Sequence, residues 1–80
     1  MAIFYLSYAT KDKFLSGCYV EAEDNAGAKK EAKRQKLSRK GQVLVEEVPE
    51  EFKVRKGYMN RRLDPDEIAK SIYVPSYGGH

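Results

Sequence analysis

The stretch FLSGCYVEAEDNAGAKKEAKRQKL, Phe14 to Leu37, decides the fold, because its periodicity changes partway along. Phe14 to Ala22 is short, apolar and aromatic, and reads as a strand. Beyond it, Asp24 or Asn25 is placed to cap a helix, with the acids Glu21, Glu23 and Asp24 at its start and cations toward its end, as the helix dipole favours. Ala28 and Ala32, with the stem of Lys36, form the expected buried stripe. Small residues there let a helix sit close to a sheet. Gly41, after SRK, is the expected terminator.

Working outward, IFYLSY (Ile3–Tyr8) reads as another strand and ATKDK as turn material, so the first two strands form a hairpin. Alternation puts Phe4, Leu6 and Tyr8 on one face with Cys18 and Val20, and Tyr5 and Tyr19 on the other. QVLVEEV (Gln42–Val48) is a third strand, ended by Pro49, which cannot donate to a ladder. An extended piece is expected around Val54 and a turn at Gly57. In DPDEIAKSI, Asp64 caps, Pro65 takes the first helical position and Glu67 completes a capping box. Ile68 and Ile72 are expected on one face of that helix.

The order predicts an α+β fold: ββαβ with a three-stranded sheet, one main helix packed on it and a short C-terminal helix. Residues 1–74 form a single domain, and 75–80 a flexible tail. Should the second and third strands run parallel, the crossover between them is right-handed.

Eighty residues leave room for one small core, fed by six Tyr and three Phe. No apolar run approaches the roughly 20 residues of a membrane span, and the first residues lack the basic start of a signal peptide. Cys18 is the only cysteine, which excludes an intrachain disulfide and points to the cytoplasm. With one Cys and one His, structural zinc is excluded and no cofactor is expected.

The net charge is only +3, yet the charges segregate. Between Lys29 and Lys40 seven Lys or Arg stand against the single acid Glu31. Lys30, Lys33 and Arg34 fall away from the alanine stripe, with Arg39 and Lys40 just beyond. Such an array suits phosphate contacts, since cations displace counterions condensed on nucleic acid. It equally suits a solvated helix face. A second group, which includes Arg61 and Arg62, is interleaved with Tyr58 and Met59, so stacking of bases competes with packing over the sheet. No base-reading motif accompanies either group.

The acid pairs make no catalytic set: Glu46 and Glu47 point to opposite faces of a strand, and Asp64 is a cap. No Ser/His/acid arrangement exists, so enzyme chemistry is not expected. Cys18 is expected to be buried packing. The ββα start and near-terminal Gly78-Gly79 resemble ubiquitin-like modifiers, which would require removal of His80.

The runs FLSGCYVEAEDNAGAKKEAKRQKL, GQVLVEEVPEEF and NRRLDPDEI also resemble short uncharacterised proteins encoded by bacteriophages. That resemblance implies a small accessory protein acting on a host macromolecule, and transfers no site residue. Three functional expectations result. The first is a non-enzymatic module binding DNA or RNA through Lys30, Lys33, Arg34, Arg39, Lys40, Arg61 and Arg62. The second is a phage-type accessory protein that binds or inhibits a host protein, and the third a ubiquitin-like modifier.

Overall fold

The computed structural model describes residues 1–75. Its elements are β1 (Ala2–Ala9), β2 (Phe14–Ala22), α1 (Asn25–Arg34), β3 (Gln42–Glu47), β4 (Lys53–Val54), α2 (Pro65–Ser71) and β5 (Ile72–Tyr73). The α+β class, the three-stranded sheet, the main helix and the short C-terminal helix are all present. The expected tail and its Gly78-Gly79 pair lie outside the described residues, apart from Pro75.

β1 is the central strand of the order β2-β1-β3, antiparallel to both neighbours. β2 and β3 therefore run in the same direction without touching, and α1 spans the connection between them. Register puts Phe4 against Val20, and Leu6 between Cys18 and Val45. These side chains face α1, whose Ala28 and Ala32 are fully buried against them. Burying a side chain such as Leu6 or Val20 contributes about 1.5–3 kcal/mol, which matters in a core this small.

The opposite face is covered by the chain from Phe52 onward. Tyr19 is buried there, its ring 5.2 Å from that of Tyr5. The residue pair Lys53–Val54 lies along Ile72–Tyr73 as a two-stranded ribbon. Gly17 sits beneath this layer because a Cβ there would lie 2.8 Å from the Tyr5 hydroxyl and 2.9 Å from Ile68 Cδ1.

Both helix starts follow the local chemistry. The Asp24 carboxylate accepts the Gly27 N–H at 2.7 Å, and Asp64 with Glu67 forms a complete capping box. The helix ends differ from expectation. α1 stops at Arg34, well short of Gly41. Lys36 takes the left-handed conformation (φ 61°), and the Leu37 N–H reaches back to the Ala32 carbonyl at 2.8 Å while that of Lys36 bonds Lys33 at 3.0 Å. This is a Schellman closure made without glycine. It turns Leu37 into the core and leaves Lys36 exposed, so Leu37 rather than the Lys36 stem extends the alanine stripe. Gly41 serves β3 instead: at φ 102° a Cβ would collide with the Ala9 carbonyl oxygen.

Ile72 is also not helical. The Ser71 hydroxyl donates to the Ile68 carbonyl at 2.7 Å, and the chain then turns extended, so Ile72 opens β5 opposite Val54.

Candidate functional site

The cations divide by what they touch. Exposed Lys29, Lys30 and Lys33 project from α1 because Ala28 and Ala32 turn its other side inward. Arg39 and Lys40 are exposed on the link into β3. Lys29, Lys30, Lys33 and Arg39 line one cleft of about 330 Å³ between α1 and the start of β3, completed by Tyr8, Ser38, Gly41 and Val43. None of these four cations, nor Lys40, forms an ion pair among the described residues.

Burial pushes the Tyr8 phenol up to about 12, with Cys18 adding to the rise and Arg62 opposing it. The phenol beside the cations therefore stays neutral at physiological pH. Cys18, fully buried beneath this face, is pushed up to about 11 by the same loss of solvent and remains a thiol.

The other expected contacts are committed elsewhere. Arg34 forms a two-pronged ion pair with Glu31, its Nε donating to Oε1 at 3.0 Å, and Gln35 adds a bond to the same carboxylate. Arg61 donates to the Gly57 carbonyl at 2.7 Å and to Glu67 at 2.8 Å, and stacks 5.3 Å over the Tyr58 ring. Arg62 donates to the Lys36 and Ser38 carbonyls, each at 3.2 Å. The Lys36 carbonyl belongs to the turn that closes α1, near the negative end of the helix dipole, and the Ser38 carbonyl to the link into β3. Arg62 thus ties the strand-edge segment to the helix, aided by Gln35 donating to Asn60 at 3.1 Å.

Sequence reasoning omitted Lys29. Its spacing of four from Lys33, which puts both on one stripe of α1, is the signal that finds it. Tyr5 and Tyr19 offer no platform for bases, because Tyr19 is buried and hydrogen-bonded to Ser71. Among the described residues no three His, Cys, Asp or Glu side chains gather in a way that could hold a metal ion. No helix of the described residues is long and apolar enough to cross a membrane.

No protein-family model matches the chain, and no curated protein or solved structure matches it.

Proposed function

We propose that the protein is a non-catalytic module that holds nucleic-acid phosphates in the cleft between α1 and β3. The observation that carries this reading is the convergence of Lys29, Lys30, Lys33 and Arg39 on one recess, with no carboxylate paired to any of them among the described residues. Phosphate oxygens supply the missing counter-charge, and the neutral Tyr8 phenol and Ser38 offer hydrogen-bonding partners at the floor. Lys40 extends the positive surface beyond the cleft. With no element among the described residues shaped to enter a groove, binding is weakly sequence-specific and governed by counterion release.

The test is fluorescence anisotropy with DNA and RNA oligonucleotides, single-stranded and duplex, at low and moderate salt. Four phosphate contacts give a log–log salt slope of about −3, so affinity falls roughly 60-fold between about 50 and about 200 mM salt. Absence of binding at the lower salt, or binding unaltered in Lys29→Glu/Lys33→Glu, overturns the reading.

A second reading, an adaptor for a host protein, is favoured by one feature at the other end of the sheet. Met1, Ile3, Val48, Pro49 and Phe52 line an open recess of about 600 Å³ whose charged lining is Glu47, Glu50 and Lys53. Met1 is 82% exposed there. Capture of a basic protein from nuclease-treated lysate, abolished by Phe52→Asp, supports this alternative.

A further inference from the structure

The two edges of the main sheet are finished differently. Along β2, the chain covers itself: Gly17 and Leu63 exchange both backbone hydrogen bonds at 3.0 and 2.8 Å, and the Asn60 N–H donates to the Tyr19 carbonyl at 2.9 Å. Among the described residues, no strand pairs with the outer edge of β3. Edge strands are usually protected by a lysine, a proline, a bulge or extreme shortness. Val43 to Glu46 contain no lysine or proline, and β3 pairs with β1 over six residues without a register shift. Leu44, at its middle, is 63% exposed.

The charges flanking this edge are arranged in opposition. Exposed Glu46 and Glu47 lie at one end of β3, and exposed Arg39 and Lys40 just before its other end. None of the four is ion-paired among the described residues. A strand with an acidic end and a basic end complements a second copy of itself laid antiparallel.

We propose that β3 pairs with β3 of a second copy about a two-fold axis at Leu44, forming a continuous six-stranded sheet. In this register Leu44 meets the partner's Leu44, and Val43 lies opposite the partner's Val45. Glu46 lies opposite the partner's Gln42, and Glu47 opposite the partner's Gly41, so the glutamates reach the neighbouring Lys40 and Arg39 twice over by symmetry. Side-chain alternation supports the axis: only a register that pairs residues of equal parity keeps both α1 helices on one face of the joined sheet. Both cationic clefts then open on that same face, on either side of the seam. The pairing stands on the strand edge and its charges; in the dimer Arg39 turns to the partner's glutamates, and Lys29, Lys30 and Lys33 remain to the cleft. As an interface of one strand per copy it falls at the small end of the specific range, and the dimer is in concentration-dependent exchange with monomer.

The first test is sedimentation equilibrium of the full chain across a concentration series reaching about 1 mM. Wild-type protein should show a monomer–dimer equilibrium, with Leu44→Lys raising the dissociation constant about tenfold or more. A wild type that is monomeric throughout the series overturns the proposal. A charge test follows. Arg39→Glu/Lys40→Glu and Glu46→Lys/Glu47→Lys should each be monomeric alone and should dimerise when mixed, because every contact then joins an acidic to a basic copy. No association on mixing overturns the antiparallel arrangement. The register is read by mild oxidation: Leu44→Cys should cross-link to its own copy far faster than Gln42→Cys, Cys18 being buried in both. Equal rates overturn the axis at Leu44.

Discussion

The Tyr19 hydroxyl lies 2.8 Å from Ser71 Oγ, a buried contact that spans 52 residues of chain. The Ser71 hydroxyl already donates to the Ile68 carbonyl, so it accepts the proton of Tyr19. One bond thus fastens the end of α2 to the face of β2 that α1 leaves uncovered. Ser71→Ala strands the buried phenol without a partner and should cost about 1–3 kcal/mol. Tyr19→Phe should cost less, and the double variant should be more stable than the sum of the two losses predicts. Urea denaturation of the four proteins measures the coupling, and strict additivity would show that the bond contributes nothing.

Gly17→Ala should destabilise by about 1–3 kcal/mol, since its Cβ would meet both the Tyr5 hydroxyl and Ile68 Cδ1 inside normal contact distance. Ile68→Val removes that Cδ1. In the Gly17→Ala background it should recover part of the loss, whereas in the wild type it should be destabilising. Thermal melts of the three variants check the sign reversal.

What the sequence disclosed is what neighbouring residues settle among themselves. The capping box needs only Asp64, Pro65 and Glu67, and it forms as read. The alternation of Phe4, Leu6 and Tyr8 needs only the pleat of one strand, and these three residues are buried together. The location of β1 between β2 and β3 was not legible, because strand order is decided by pairing between distant segments. The stop at Arg34 was hidden for another reason: the residue that turns the chain is Lys36, which has no intrinsic preference for the left-handed region. Tertiary packing selects it by drawing Leu37 inward.

The cations show the same division. Spacing identified Lys30 and Lys33 as outward-facing, and Arg39 and Lys40 as their continuation. It could not show that Arg61 and Arg62 spend their donors on the Gly57, Lys36 and Ser38 carbonyls, which lie up to 26 residues away. Nor could it show that Arg39 folds back to share a recess with Lys29.

Lys36→Gly should stabilise the protein by about 0.5–1 kcal/mol. Glycine reaches φ 61° without the Cβ crowding that lysine meets, and both Schellman hydrogen bonds are backbone bonds that survive the change. Lys36→Ala, which keeps the Cβ, should bring no such gain. Chemical denaturation distinguishes the two, and equal stability of the Gly and Ala variants would remove the left-handed strain as an explanation.

The Glu31 carboxyl should make α1 acid-sensitive. Hydrogen bonds from Arg34 and then Gln35 hold it at about 2, below its ordinary value of 4.5. A depressed folded-state value means that the carboxylate's contribution is complete above about 4.5 and lost as pH falls toward about 2. Glu67 acts in the same direction, lowered first by its bond to the Asp64 backbone and then by Arg61. The urea midpoint should therefore fall between about pH 6 and about pH 3, and Glu31→Gln should flatten the curve without abolishing it. An unchanged slope in Glu31→Gln would show that the Arg34 pair does not contribute.

Lys33 and Arg62 should separate binding from folding. Lys33 lines the cleft and has no ion-pair partner among the described residues, so Lys33→Ala should leave stability within about 0.5 kcal/mol of wild type. The same change should weaken oligonucleotide binding and make the log–log salt slope shallower by about 1, the signature of one phosphate contact removed. Arg62 instead satisfies the Lys36 and Ser38 carbonyls on the link from α1 to β3, so Arg62→Ala should cost about 1–2 kcal/mol of stability. Its salt slope should match wild type at a temperature where both are folded. Anisotropy titrations paired with denaturation curves read both quantities on each variant. If Arg62→Ala changed the slope while Lys33→Ala did not, the phosphate contacts would lie along the β2 edge rather than in the cleft between α1 and β3.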